Sequence, residues 1–249
     1  MRVMRMTASA TLMLLLMMMA GCANTPPYKE PSDPLEPVNR VVYRFNNVVD
    51  RALVKPVAKV YNKYTPTPVQ NGVGNFFSNL GEPVVIVNDV LQGKLPQGAS
   101  DTARLIFNST FGVLGLIDVA TPMGHPQHDE DFGQTFAVWG AGEGWYLVLP
   151  ILGPSTVRDA VGLPAEYALD PLSRLSDVSV RNGFYVLRSI DTRARLLGAS
   201  KVLDTAALDD YIFTRAAYRQ RRWSLIYDGN PPQMPMNSDD DDESPYAKP

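Results

Sequence analysis

The sequence predicts a mainly α, single-domain fold interrupted by a glycine-rich middle. Three observations lead there. Apolar residues recur three and four positions apart through most of the chain, the spacing of one helix face. Sustained two-residue alternation, the mark of a half-buried strand, is scarce. In addition, 21 prolines and 18 glycines in 249 residues cut the chain into short elements. With 45% hydrophobic and 20% charged residues, the composition is that of a globular protein. A chain this long can bury about three-quarters of its unfolded surface.

The first element is an export signal. Arg2 and Arg5 precede the apolar run Ala8–Gly21, and small residues close it. A basic start, a short apolar core and a small-residue cut site describe a secretory signal peptide over 1–21. The run is shorter than the ~20 residues of a membrane span. The single cysteine of the chain, Cys22, stands at the cut. Met19-Ala20-Gly21-Cys22 resembles a bacterial lipobox, with methionine where leucine is usual. That resemblance implies acylation of Cys22 and a mature chain with no free thiol. Ala23 follows, not the aspartate that resembles an inner-membrane retention signal, so the implied destination is the outer membrane. Three acyl chains, at about 0.8 kcal/mol per buried CH₂, hold a protein firmly to a bilayer.

Residues 22–38 hold five prolines and are expected to form an extended tether. The body is expected over 39–228. Asn39 is the expected N-cap of a first helix, whose stripe is Val41/Val42, Phe45, Val48/Val49 and Ala52/Leu53. Pro56 breaks or kinks that helix, and 57–64 resumes it. After a turn at Pro66 and Pro68, helices are expected at 69–80, 83–92 and 97–107, with Gly81 and Gly93 ending the first two. Residues 105–117 (LIFNSTFGVLGLI) carry no charge. They form either a buried core helix or a segment lying in a membrane plane. Residues 121–144 are turn-rich and read as a long loop or hairpin. Residues 145–152 (WYLVLPIL) are either a short strand or an interfacial segment. Ser155 or Thr156 caps the helix that follows GPSTVRD. Periodic helices close the body at 180–197 and 208–226. Residues 229–249 form a proline-rich, acidic tail expected to be disordered.

Charge and motifs narrow the function. The formal net charge is −3. Without the signal and the acidic tail, the body is nearly neutral, which excludes the basic surface a nucleic-acid binder needs. His125 and His128 lie in one acidic loop, and their spacing fits no strong zinc template. A serine triad needs a histidine base and a nucleophile elbow, and no GxSxG occurs. No GxxxxGK[ST] phosphate loop is present. No catalytic residue, metal or cofactor is therefore assigned, and the chain is not expected to be an enzyme. Arg215, Arg219 and Arg222 line one side of the last helix. They either hold phosphate headgroups or an acidic partner, or form a solvated face.

Five segments in order resemble the outer-membrane phospholipid-transport lipoproteins of the MlaA (VacJ) family. They are DPLEPVNRVVYRFN (33–46), KPVAKVYNKYTP (55–66), NDVLQGK (88–94), RLIFNSTFGVLGLIDVA (104–120) and EDFGQTFAVWGAGEGWYLVLPILGPSTVRD (130–159). The resemblance covers about residues 30–230. It implies a helical ring lying in the inner leaflet of the outer membrane, around an amphipathic channel. It implies that misplaced outer-leaflet phospholipids pass through that channel to a soluble periplasmic carrier, and that the ring associates with trimeric porins. Asn39, Arg40, Tyr43 and Asn46, in the first-helix motif, are candidates for channel opening or helix seating. Gly140, Gly142 and Gly144 either hinge the loop or serve ordinary turns. Asp131, Arg158 and Asp159 are expected to be buried, paired and structural. The alternative reading is an envelope scaffold with no lipid conduit.

Overall fold

The computed structural model describes residues 33–200 and 207–232. The expected signal peptide, Cys22, the tether up to residue 32 and the tail beyond residue 232 lie outside them.

Helix α1 spans Glu36–Val49, a π-helical turn spans Asp50–Val54, and α2 spans Lys55–Tyr64. The three form one rod. Asn39 is not its N-cap. The helix starts three residues earlier because Pro37 suits the first turn, where its missing N–H is not needed. Asp33 and Glu36 are buried, so the chain joins the body before residue 39. Pro56 does not break the rod. It falls in the first turn of α2, directly after the widened π turn, which takes up the residue whose amide cannot donate.

Helix α3 runs unbroken over Thr67–Gln92, where two helices were expected. Gly81 keeps a negative φ, and Pro83 costs one backbone bond without ending the rod. Gly93 does end it, at φ 77°. A short link leads to α4, Leu95–Thr110, which packs back along α3.

The uncharged stretch 105–117 is not a buried core helix. Helix α4 stops at Thr110, and Phe111, Val113, Leu114, Leu116 and Ile117 form an exposed apolar knuckle. Left-handed backbone at Val113, Leu114 and Gly115 turns the chain there.

Within 121–144 the structure adds a 3₁₀ turn at Thr121–Met123 and a short helix α5, Phe132–Val138. Strand β1, Tyr146–Leu149, pairs antiparallel with β2, Gly153–Thr156. Thr156 caps α6, Val157–Leu169, by accepting the Asp159 amide. Helix α7, Val178–Arg195, and α8, Asp210–Ile226, are capped by Asp177 and Asp209.

Burial in this fold is inverted. Among the described residues, nineteen buried side chains are polar or charged and only eight are apolar. The stripe Val41, Phe45 and Val48 of α1 is exposed, while Glu36 and Asn39 face inward. Exposed apolar side chains continue through Leu53, the 111–117 knuckle, Trp139, Trp145 and the hairpin tip Ile151–Leu152. No helix among the described residues is long and apolar enough to cross a membrane. Isolated exposed apolar residues are ordinary, but continuous belts mark a membrane or protein contact.

Candidate functional site

Helices α3, α6, α7 and α8, with the loop before α5, surround a cavity of about 890 Å³. Its walls are charged. Glu82 on α3, Glu130 before α5, Glu166 on α6 and Asp191 on α7 face it, as do Arg188 and Arg195 on α7 and Arg222 on α8. Phe77, Tyr167 and Tyr218 add aromatic surface. Burial pushes the carboxyls of Glu82 and Glu166 up to about 7, and the neighbouring charges of Asp101 and Asp131 respectively add to this. The walls are thus amphipathic: charges of both signs stand among the apolar surface of Phe77, Val84, Val85 and Leu163, and the arrangement can receive a hydrated polar group beside an apolar one.

Arg195 is set at the cavity by an absent side chain. Its Nη2 lies where a Cβ on Gly74 would sit, 2.1 Å from the ideal position. Asp191 holds its Nε at 2.8 Å, and the Gln70 carbonyl accepts from Nη2 at 2.6 Å. Tyr61 donates to the other Asp191 oxygen at 3.0 Å. This tie joins α2, α3 and α7.

The first-helix motif is a latch. The Asn39 carboxamide donates to Tyr146 O and accepts from Val148 N, both at 2.9 Å. It therefore acts as a third strand on the open edge of β1. Asn46, two turns on, repeats this with Leu149 O at 2.9 Å and Ile151 N at 2.8 Å. Tyr43 donates to Asp210 O at 3.1 Å and packs edge-on to Tyr211. Arg40 pairs with Glu36 and Asp209 and lies over the Tyr211 ring. These four residues bind the rod to the hairpin and to α8. They do not line the cavity, whereas the hairpin tip residue Leu152 does.

The arginine stripe of α8 points inward. Arg215 is buried against Asp33 and Glu36. Arg222 is buried against Asp131 and Asp159. Arg219, partly exposed, pairs with Glu143. A solvated face does not describe this stripe, and Arg215 and Arg222 spend their charge on internal carboxylates. Burial alone would raise Asp131, but Arg222 holds it below the usual carboxylate range. Asp159 also accepts from Tyr218 at 2.6 Å and from Arg158 at 3.2 Å. Asp131 and Asp159 thus meet on one guanidinium, with Asp131 also capping α5 through Gln134 N.

Gly140 and Gly144 have φ of 92° and 69°, as turns require, while Gly142 does not take the left-handed region. Two tightly packed glycines at the α5–α6 crossing were not singled out in the sequence. A Cβ on Gly133 would lie 2.3 Å from Asp159 Oδ1 and 2.6 Å from Arg222 Nη2. On Gly162 it would meet Phe132 Cβ at 2.9 Å. Both let α5 and α6 approach around the Asp131–Arg222–Asp159 cluster. No local signal marks them, because the demand comes from a neighbour distant in sequence. The histidines also join the framework: Ser100 Oγ lies 3.0 Å from His125 Nδ1, and His128 Nδ1 lies 2.9 Å from Asp101.

The family model for MlaA lipoproteins matches residues 31–224, nearly the whole of this architecture. The chain belongs to the MlaA lipoprotein family. The intermembrane phospholipid transport system lipoproteins MlaA of Shigella flexneri and of Escherichia coli strain K12 are each 41% identical over 211 residues, 82% of either chain. That of Haemophilus influenzae is 33% identical over 226 residues, 88% of this chain and 90% of the relative. A solved structure from work on the structural basis for maintenance of bacterial outer membrane lipid asymmetry matches with a TM-score of 0.69. It is 37% identical and covers 80% of this chain and all of the other. The family match spans the residues of the latch and of the α5–α6 crossing and nearly all of the cavity walls.

Proposed function

We propose that this chain removes mislocalised phospholipids from the outer leaflet of the outer membrane and passes them towards the inner membrane, maintaining lipid asymmetry. The observation that carries the reading is the inverted burial around a charged cavity. A headgroup can enter a polar interior while its acyl chains stay in hydrocarbon outside an apolar wall. Family membership with lipoproteins named for intermembrane phospholipid transport supports it. In this reading Cys22 is the acylated anchor. The ring sits in the inner leaflet, a soluble periplasmic carrier receives the lipid, and trimeric porins flank the ring. The chain performs no chemistry on the lipid: it is a conduit. Mass spectrometry that found an unmodified Cys22 thiol in the mature chain would remove the anchor.

A conduit and a scaffold differ in what happens when the cavity is filled. Gly81 lines the cavity, and a Cβ there meets nothing within 4 Å. Gly81→Phe should therefore obstruct the cavity and leave the fold intact. Surface-exposed phospholipid is measured in a deletion strain carrying either chain. The expected result is that the unaltered chain restores asymmetry and the Gly81→Phe chain, at equal abundance and thermal stability, does not. Unchanged outer-leaflet phospholipid on deletion would sink the transport reading. Full rescue by Gly81→Phe would favour the scaffold.

A further inference from the structure

The rod Glu36–Tyr64 carries a second pattern that the latch and the cavity do not use. Its inward side is held by Asn39, Tyr43, Asp50 and Tyr61, each bonded to another element, and by buried Ala58. One outward side is the apolar row Val41, Phe45, Val48, Leu53, Val57, Val60 and Tyr64, all exposed. Beside it run Arg44, Arg51, Lys55, Lys59 and Lys63. At about 100° per residue, these five would drift around a plain α-helix. The π turn Asp50–Val54 takes roughly one extra residue and resets the phase. With it, all five cations fall within about a quarter of the circumference, and the apolar row stays in line beside them.

No acid of the rod offsets the row. Glu36 is paired with Arg40, and Asp50 is held by both arms of Arg193. Arg51 has Asp210 at 3.8 Å and stays mostly exposed. Lys55 is half-buried and engaged within the fold. Arg44, Lys59 and Lys63 are exposed, and Lys63 rests on the Tyr64 ring.

We propose that this rod is a recognition edge for anionic phospholipid: its apolar row lies in hydrocarbon and its cationic row takes the phosphates of anionic headgroups beside it. The apolar row runs about 35 Å from Val41 to Tyr64, and the cationic row beside it about 29 Å from Arg44 to Lys63, at 1.5 Å per residue. They match a medium that is itself two parallel layers, one apolar and one anionic. An acidic protein surface would account for the cations but not for the exposed apolar row that runs beside and beyond them. The inference goes beyond transport and rests only on membrane seating.

The full-length protein is reconstituted into nanodiscs of equal parts phosphatidylglycerol and phosphatidylethanolamine, and lipids retained on release are counted by native mass spectrometry. Phosphatidylglycerol should be retained several-fold above parity. Each Lys or Arg at an anionic surface changes partition roughly fivefold. The triple variant Arg44→Gln, Lys59→Gln, Lys63→Gln should therefore fall to near parity, with its melting temperature unchanged because these side chains face outward. High salt should weaken the preference of the unaltered chain. Parity in the unaltered chain would overturn the lipid assignment and leave an acidic protein as the occupant of the row. Enrichment that survives the triple substitution would also overturn it. Failure to enter discs of either lipid alone would refute membrane seating itself, a result distinct from parity.

Discussion

Replacing Asn39 with alanine tests whether the first-helix motif is a latch. Asn39 is buried and satisfies three groups: Asp33 Oδ1, Tyr146 O and Val148 N, each at 2.9 Å. Alanine leaves the strand carbonyl and the strand amide without partners in a region closed to water. It also takes a donor from a buried carboxylate. An orphaned buried polar group costs about 1–3 kcal/mol, with the charged partner at the upper end. The loss of stability is then roughly 3–6 kcal/mol, a large part of the 5–15 kcal/mol a domain typically has. For a chain of this size that lowers the melting temperature by roughly 10 °C or more. Asn46→Ala, which frees Leu149 O and the exposed Ile151 N, should cost about half as much or less, because water can reach its partners. Differential scanning calorimetry in one detergent compares the two. A loss below about 1 kcal/mol for Asn39→Ala, or equal losses for both variants, would refute the idea that Asn39 completes the β1 edge.

Two further outcomes follow from the interior. Gly133→Ala should destabilise by about 1–3 kcal/mol or more, since its methyl meets Asp159 and Arg222 within 2.6 Å; near-neutral melting would show that α5 can shift at no cost. The pH dependence has a definite sign. Glu82, Asp89 and Glu166 are each pushed up to about 7, first by burial and then by nearby carboxyls. Their unfolded values lie near 4. The folded state therefore holds these protons more tightly, and the stability they contribute is present below pH ~4 and lost as pH rises through 7. Asp118, held near 2, and Asp131 and Asp209, held below their usual range, act in the opposite direction only in strong acid. Melting temperature should peak near pH 4 and fall by several degrees or more by pH 8; a profile that rises over this range would contradict the buried-proton account.

The sequence made local features legible and left their direction open. Gly93 as a helix stop, Thr156 as a cap and the periodicity of 180–197 all rest on residues near in sequence, and the structure places them there. Gly81 and Pro83 carry equally strong stop signals, yet α3 continues, because α4 and α7 packed along it outweigh one missing bond. The stripe Val41–Phe45–Val48 was visible as a face, but a period does not tell which medium the face meets. Where the surroundings are apolar, that face turns outward, and Asn39 rather than Val42 becomes the buried anchor. The arginines of α8 show the same limit. Their spacing gave one line of positive charge, and only the acids of distant segments, Asp33, Asp131 and Asp159, decide that the line points in. The short helix α5 escaped notice because seven residues, one of them Gly133, leave too little pattern to detect.

The inverted burial also bears on how such a molecule reaches its place. Its outward apolar rows are an asset only once they meet lipid. Between synthesis and arrival they are a liability, since water drives such surfaces to cover one another. In water, the rod, the knuckle at 111–117 and the hairpin tip are therefore the parts of the fold through which copies of the chain would associate.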